Sequence, residues 1–102
     1  GMVGLETAFG VCYTKLCKEN GLPLARLAEL MSTAPAGILG LSDHGRVAVG
    51  FAADLALVEL DTPYTVDKNA LHSKSHNCPY DGAQLFGRVD LTIKGGKVTW
   101  KR

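Results

Sequence analysis

Two histidines and a cysteine lie close together in the sequence, in a pattern that could bind zinc. His72 and His76 are four residues apart, and Cys78 follows two residues later. On a helix, this spacing would place both imidazoles on one face. The segment reads His-Ser-Lys-Ser-His-Asn-Cys-Pro, however, and Ser, Asn and Pro disfavour helix. Because no second ligand pair occurs elsewhere, we interpret the three as loop residues and predict no metal site.

The other two cysteines are Cys12 and Cys17. On a helix, a five-residue spacing points them in different directions, and it is not the two-residue spacing of redox or zinc pairs. Cys12 falls on an apolar stripe, which favours a small core residue, and the sequence indicates no adjacent base that would activate a thiol. An odd count of three cysteines argues against a secreted disulfide scaffold. We therefore expect a protein of the reducing cytoplasm.

Two carboxylates, Glu6 and Asp54, stand in apolar surroundings. Either could be a buried acid with a shifted pKa. Structural roles are the better interpretation, because Glu6 suits the first turn of a helix and Asp54 can accept hydrogen bonds from turn amides at the start of a strand. The residues alone therefore predict no catalytic site.

The composition is that of one small globular domain. The 102 residues are 46% hydrophobic and 21% charged, with a net charge of +1, so disorder is not expected. The basic residues are scattered, whereas a nucleic-acid-binding protein concentrates them on one face. No apolar run approaches the length of a membrane span, and the N-terminus does not resemble a signal peptide. Neither nucleic acid nor membrane is an expected partner.

The first third of the sequence predicts helices. Its apolar stripe recurs at three- and four-residue steps, as one face of a helix requires. The stripe consists of Leu5, Ala8, Phe9, Cys12, Tyr13 and Leu16. Gly21 would end this helix, and Pro23 suits the first turn of a second one. Thr33 would cap a short third helix that begins near Pro35 and ends at Gly40.

The remainder predicts strands. Residues 46–49 predict a short strand, residues 54–60 a mostly apolar and buried one, and residues 72–82 an irregular loop. Helices come first and strands follow, which predicts an α+β fold. The composition shift between the two parts divides the chain into a helical segment, 1–42, and a segment of antiparallel strands, 43–102.

The end of the chain predicts a hairpin. Apolar and polar residues alternate on both sides of Gly95-Gly96, a dipeptide typical of a two-residue turn. Such a turn would pair Ile93 with Val98 and Leu91 with Trp100 on one face. That face would need another element to cover it.

Five motifs follow one another through nearly the whole chain. They are Gly-Leu-Glu-Thr-Ala-Phe at 4–9, Met-Ser-Thr-Ala-Pro-Ala-Gly-Ile-Leu-Gly-Leu at 31–41, Gly-Arg-Val-Ala-Val-Gly-Phe-Ala-Ala-Asp-Leu at 45–55, Ser-Lys-Ser-His-Asn-Cys-Pro-Tyr-Asp-Gly at 73–82, and a closing pattern from Gly87 to Val98. Together they resemble the C-terminal segment of class I dihydroorotases, in the amidohydrolase superfamily. Ala34 departs from the family's usual Asn. The Ser-Lys-Ser loop favours dihydroorotase in particular.

The resemblance implies a parent enzyme with a zinc-binding (β/α)8 barrel, which interconverts dihydroorotate and carbamoyl-aspartate in pyrimidine biosynthesis. This chain would supply the last barrel helix, the connecting helices and the C-terminal strands of a small β domain. None of the family's metal ligands aligns with a residue here, so the chain alone would hold no zinc and be inactive. Gly1 aligns with a glycine that contacts substrate in the family, although the neighbouring Phe is missing and Gly1-Met2 is also typical of tag removal.

Two alternatives stay open beside dihydroorotase. Allantoinases and other cyclic-amide hydrolases share the Pro-Tyr and Gly of the loop. A non-catalytic oligomerisation module, or the remnant of a pseudo-enzyme, would also fit a chain without metal ligands. In each case the helical stripe and the hairpin face would lack partners in this chain, so we expect self-association, with a homodimer as the simplest form.

Overall fold

Two helices precede five short strands in the computed structural model, which describes all of residues 1–102. Helix α1 is α-helical over Ala8–Cys12 and π-helical over Tyr13–Lys18. Helix α2 runs without a break through Leu24–Ala28, Glu29–Thr33 and Ala34–Ile38, with π-helical hydrogen bonding in the middle stretch. Neither helix has the length and apolar character needed to cross a bilayer.

The strands form two antiparallel sheets. They are β1 (Leu55–Glu59), β2 (Tyr64–Thr65), β3 (Gln84–Leu85), β4 (Arg88–Lys94) and β5 (Lys97–Lys101), with a 3-10 turn at Lys68–Ala70. Strand β4 is the centre of a three-stranded sheet in the order β1-β4-β5, and β2 pairs with β3. Helices followed by antiparallel strands confirm the predicted α+β fold. The division between 42 and 43 stays a prediction.

The helix ends follow the glycines, but the number of helices differs from the prediction. Gly21 and Gly40 end α1 and α2 with φ of +73° and +72°, the left-handed conformation that glycine adopts freely. The predicted cap at Thr33 is wrong. Thr33 has a helical backbone, and its hydroxyl donates to the carbonyl oxygen of Gly45 at 2.9 Å. The helix passes Pro35 because the wider π-helical turn before it relieves the clash between the proline ring and the preceding turn.

Two strand predictions are wrong in part. Residues 46–49 form no strand, and Val47 and Val49 are almost fully exposed. Glycines with positive φ flank this segment on both sides, and no neighbouring strand is there to pair with it. Strand β1 forms as predicted but is not buried, since Leu57 is 57% exposed. The reason is its place at the edge of a sheet whose apolar face nothing covers.

The terminal hairpin has the predicted turn but a different register. Both turn glycines have positive φ, +55° and +81°, as a type I′ turn requires. Ile93 lies opposite Val98, as predicted. Trp100 lies opposite Thr92, so its predicted pairing with Leu91 is wrong. An irregularity between Thr92 and Ile93 shifts the register by one residue, which sends the indole to the other face of the sheet.

The core is small and lies beneath the loop that follows β2. Val66, Cys78 and Leu85 form its buried cluster, and Val3 and Val11 from the N-terminal part pack against it. The core therefore links the start of the chain to β2 and β3 rather than to the three-stranded sheet.

A threonine fastens α1 to the connection between β3 and β4. The buried Thr14 hydroxyl accepts a hydrogen bond from the amide of Phe86 at 2.8 Å and donates to its carbonyl oxygen at 3.2 Å. One turn earlier, Gly10 lies so close to Tyr64 that a Cβ there would be 2.2 Å from the phenol oxygen. The close approach of this helix to the strands thus depends on a glycine and a hydroxyl.

Candidate functional site

An open groove of about 990 Å³ separates the N-terminal segment from the three-stranded sheet. Its lining includes residues 2–7 and Phe9 of the N-terminal segment, residues 71–73 of the loop, and Thr92 and Trp100 of the sheet. Leu5 is part of this lining and is 97% exposed. It precedes α1, so its predicted place in the helical stripe is wrong.

Glu6 holds His72 through both of its carboxylate oxygens. Oε2 accepts from the backbone amide of His72 at 2.9 Å, and Oε1 accepts from Nδ1 of the ring at 2.8 Å. A carboxylate oxygen accepts this hydrogen bond, so Nδ1 of the ring is the donor. The imidazole meets Trp100 edge-on, with 6.5 Å between ring centroids. The predicted helical role of Glu6 is wrong, because it lies before α1 and ties two segments 66 residues apart.

A carboxylate that orients an imidazole is the arrangement found in general bases and metal-binding histidines. Here the side chains of His72 and Glu6 are 69% and 41% exposed. Water competes with such an exposed pair, so its electrostatic contribution is small. The two hydrogen bonds fix where the loop after residue 71 begins, which makes the pair a positioning contact.

The other residues of the possible zinc pattern have different partners. Nδ1 of His76 donates to the carbonyl oxygen of Lys68 at 3.0 Å. Cys78 is buried in the core beside Val66 and Leu85. No group of three His, Cys, Asp or Glu side chains comes together in a way that could hold a metal ion.

Asp54 organises a second polar cluster at the hairpin turn. Its Oδ1 accepts from the amide of Gly95 at 2.8 Å, and its Oδ2 lies 3.4 Å from Nζ of Lys94 and 3.5 Å from Nε2 of His44. The hydrogen bond from Gly95 is the main reason why the pKa of Asp54 lies below its ordinary value, and Lys94 adds to this against the opposing effect of burial. Asp54 thus bonds a turn amide, as predicted.

Gly1 lies beside Asn77, whose side-chain amide donates to its carbonyl oxygen. The amide of Val3 in turn donates to the carbonyl oxygen of Asn77 at 3.0 Å. The contact of Gly1 with substrate stays a prediction.

Cys12 and Cys17 are both half-buried free thiols.

A family model described as Amidohydrolase family matches residues 1–100. The chain belongs to the amidohydrolase family. Among curated relatives of this amidohydrolase, the dihydroorotase of Clostridium botulinum is 49% identical over 102 residues, which are 100% of this chain and 25% of that protein. The dihydroorotase of Lactiplantibacillus plantarum is 44% identical over 100 residues, 98% of this chain and 23% of that protein. The chain therefore spans about a quarter of the length of these relatives.

Solved amidohydrolase structures share this fold. The L-hydantoinase (dihydropyrimidinase) from Arthrobacter aurescens superposes with a TM-score of 0.92 at 33% identity, covering 99% of this chain and 23% of its own. The D-hydantoinase (dihydropyrimidinase) from Thermus sp. also gives 0.92, at 25% identity, covering 99% of this chain and 22% of its own. The arrangement of helices and sheets seen here is thus one that amidohydrolases contain.

Amidohydrolases of this family generally depend on a metal. A catalytic zinc takes about three protein ligands and keeps one position for water or substrate. In this amidohydrolase chain, His72 is bound to Glu6, His76 is bound to the backbone, and Cys78 lies in the core. These donors face three different places, so the residues of this chain do not fit a catalytic zinc.

Proposed function

We propose that this chain is the C-terminal segment of a class I dihydroorotase, a cytoplasmic zinc enzyme that interconverts dihydroorotate and carbamoyl-aspartate in pyrimidine biosynthesis. The observation that carries the proposal is the 49% identity to the dihydroorotase of Clostridium botulinum over all 102 residues. The zinc ligands and the residues that act on the ring amide would come from another segment of the polypeptide. This chain would supply framework.

The contact between Glu6 and His72 supports a framework role. Glu6 lies in the dihydroorotase-like motif at 4–9, and His72 directly precedes the Ser-Lys-Ser motif at 73–82. Two hydrogen bonds to one carboxylate hold the two motifs together at the edge of the groove. Both side chains are partly exposed, so the two bonds contribute orientation rather than much stability. Glu6 would thus set the position of the Ser-Lys-Ser loop relative to the rest of the enzyme.

Exchange of segments tests the dihydroorotase proposal. Residues 1–102 replace the matching segment of the Clostridium botulinum dihydroorotase, and kcat/KM for dihydroorotate is measured. We expect the chimera to retain activity within about tenfold of the relative, because the framework is kept and small displacements are what cost rate. A chimera that folds and binds zinc but does not turn over dihydroorotate would contradict the proposal.

Two substitutions in the chimera test the role of Glu6. Glu6→Gln removes the charge that holds His72, so we expect kcat/KM to fall about tenfold or more as the loop loses its position. Glu19→Gln is the matched control, since Glu19 is half-exposed and bonds only Lys15 on its own helix. It should leave the rate unchanged. Equal effects of the two variants would remove Glu6 from any part in positioning.

A second candidate is another cyclic-amide hydrolase, a hydantoinase or an allantoinase. The TM-score of 0.92 with two hydantoinases favours it. For comparison, residues 1–102 replace the matching segment of the Arthrobacter aurescens L-hydantoinase, and the rate of hydantoin hydrolysis is measured. Higher relative activity in that enzyme than in the dihydroorotase would favour the second candidate. Folded but inactive chimeras in both enzymes would leave the non-catalytic oligomerisation module.

A further inference from the structure

The Ser-Lys-Ser-His-Asn stretch at 73–77 ends on an asparagine that holds the start of the chain at two points. The side-chain amide of Asn77 donates a hydrogen bond to the carbonyl oxygen of Gly1. The backbone carbonyl oxygen of Asn77 accepts a second bond from the amide of Val3 at 3.0 Å. Asn77 thus offers one donor and one acceptor to the N-terminal backbone, as a residue of a neighbouring strand does.

Two serine hydroxyls explain why the donor is a side chain. Oγ of Ser73 accepts from the amide of Ser75 at 3.2 Å, and Oγ of Ser75 accepts from the amide of Asn77 at 3.3 Å. A serine that bonds the backbone amide two residues further on forms a tight turn. The backbone amide of Asn77 is therefore directed at Ser75, and the side-chain amide is the donor that remains for Gly1.

The loop that carries Asn77 is itself fastened on both sides. Cys78, the next residue, is buried in the core cluster. The ring of His76, the preceding residue, donates from Nδ1 to a backbone carbonyl oxygen of the 3-10 turn at 3.0 Å. At the other end of the loop, Glu6 holds His72 by two hydrogen bonds. Asn77 is therefore a fixed point, and its two bonds set where residues 1–3 lie.

The side-chain bond is the one that fixes residue 1. No other hydrogen bond of the chain involves residues 1–3. Val3 also packs against the core cluster, so its place does not depend on Asn77 alone. Gly1 has no such packing, since it is exposed. Because the acceptor on Gly1 is a backbone carbonyl, the same bond would form with any residue at position 1.

We propose that Asn77 is a positioning residue of the hydrolase, whose side-chain amide fixes the backbone where the preceding part of the polypeptide joins this chain. The role rests on the proposed function, in which that preceding part supplies the metal ligands. Residue 1 would then link those ligands to the Ser-Lys-Ser loop. A misplacement of about 1 Å far from the chemistry can cost roughly a hundredfold in rate, so the link needs a fixed geometry.

Amide hydrogen exchange in the purified 102-residue chain tests the contact itself. Asn77→Asp keeps the size of the side chain but turns an oxygen toward the carbonyl oxygen of Gly1, and Asn77→Ala removes the side chain. Both variants should speed exchange of the Val3 amide at least about fivefold, because residues 1–3 open locally. The effect of Asp should be at least as large as that of Ala, whereas a residue that only fills space would tolerate Asp.

Asn69→Asp is the matched control. Asn69 is exposed, and its backbone amide, not its side chain, bonds Asp67. The control makes the same chemical change in the same part of the chain and should leave the exchange of Val3 unchanged. Exchange of Val3 that is the same in Asn77→Asp as in the control would overturn the proposal.

The chimera with the Clostridium botulinum dihydroorotase tests the positioning role. Asn77→Asp should lower kcat/KM per bound zinc by about tenfold or more at a temperature well below the Tm of the variant. Asn77→Gln keeps the amide on a longer arm and should recover part of this loss, and Asn69→Asp should leave the rate unchanged.

The two experiments separate this role from the dihydroorotase proposal. An active chimera in which Asn77→Asp and Asn69→Asp have equal rates would overturn the positioning role and leave the dihydroorotase proposal standing. A folded, zinc-loaded chimera that is inactive without any substitution would contradict the dihydroorotase proposal and this role with it. The exchange of Val3 would still decide whether Asn77 holds residues 1–3.

Discussion

A methyl group added at Gly10 should destabilise the chain, whereas the same change at Gly37 should stabilise it. Both glycines lie in helices and neither has a positive φ. At Gly37 a Cβ would meet nothing within 4 Å. At Gly10 it would be 2.2 Å from Oη of Tyr64 and 3.4 Å from the carbonyl oxygen of Phe86. The Tyr64 ring is rigid, and the guanidinium of Arg88 lies over its face, 5.5 Å from the ring centroid. A Cβ at residue 10 would therefore displace the whole ring.

Two opposing terms set the size of the effect. Replacing Gly by Ala in a helix is worth about 1 kcal/mol in favour of folding. Overpacking costs roughly 1–3 kcal/mol, and an overlap of this depth calls for the upper part of that range. We therefore expect Gly10→Ala to lose about 1–2 kcal/mol net and Gly37→Ala to gain about 0.5–1 kcal/mol. A domain of this size shifts its Tm by roughly 4–8 °C per kcal/mol, so the two variants should melt on opposite sides of the wild type.

A double-mutant cycle checks whether the overlap with Tyr64 causes this loss. Thermal and urea unfolding are measured for the wild type, Gly10→Ala, Tyr64→Phe and the double variant. Removing the phenol oxygen should return at least about 1 kcal/mol of the loss in Gly10→Ala, as a coupling between contacting residues predicts. Burial raises the pKa of Tyr64, against a smaller opposing effect of Arg88. Its contribution to stability is therefore present below about pH 10 and lost as the pH rises through the raised pKa. Equal melting of Gly10→Ala and Gly37→Ala would refute the close approach of α1 to β2.

Three further changes test other contacts. Thr14→Val keeps the shape of Thr14 but leaves the amide and carbonyl of Phe86 without a partner. Urea unfolding should therefore show that the free energy of unfolding falls by about 1–3 kcal/mol. Thr14→Ser, which keeps the hydroxyl, should recover most of this loss. Gly96→Val forces a β-branched residue to a φ of +81° and should cost about 1–3 kcal/mol, and an unchanged melting curve would refute the turn. The pKa of Asp54 is lowered, chiefly by the hydrogen bond from Gly95. The stabilising effect of the ionised Asp54 is present above the ordinary carboxyl pKa and is lost as the pH falls through the lowered pKa. Asp54→Asn should therefore flatten the acid side of the profile of unfolding free energy against pH. An identical profile would count against this role of Asp54.

Signals confined to neighbouring residues predicted much of the fold. Gly21 and Gly40 end helices, and the two glycines of the hairpin make its turn, because each needs a backbone conformation that glycine alone adopts without cost. Thr33 misled the prediction because a threonine that caps a helix and one that bonds a distant carbonyl look alike in sequence. The register at Trp100 also depends on an irregularity that alternation cannot reveal.

The contacts around the groove depend on chain segments far apart in sequence. Glu6 and His72 are 66 residues apart, and no local pattern signals that they meet. Each lies within or next to a dihydroorotase-like motif, which was the available hint. For His72, His76 and Cys78, the helix-breaking residues between them predicted a loop, and a loop is what forms. The exposure of β1 could not be predicted, because an apolar strand looks the same whether or not a second layer covers it.

We propose that this chain supplies framework, and that amide hydrolysis by the whole enzyme would depend on metal ligands from another segment. Zinc content measured together with dihydroorotate turnover on the purified 102-residue chain tests it most directly. We expect well below about one zinc per ten chains after dialysis, and a rate equal to that of buffer, because a catalytic zinc needs about three protein ligands and His72, His76 and Cys78 are each held elsewhere. Close to one zinc per chain, with turnover above buffer that a chelator abolishes, would contradict the claim.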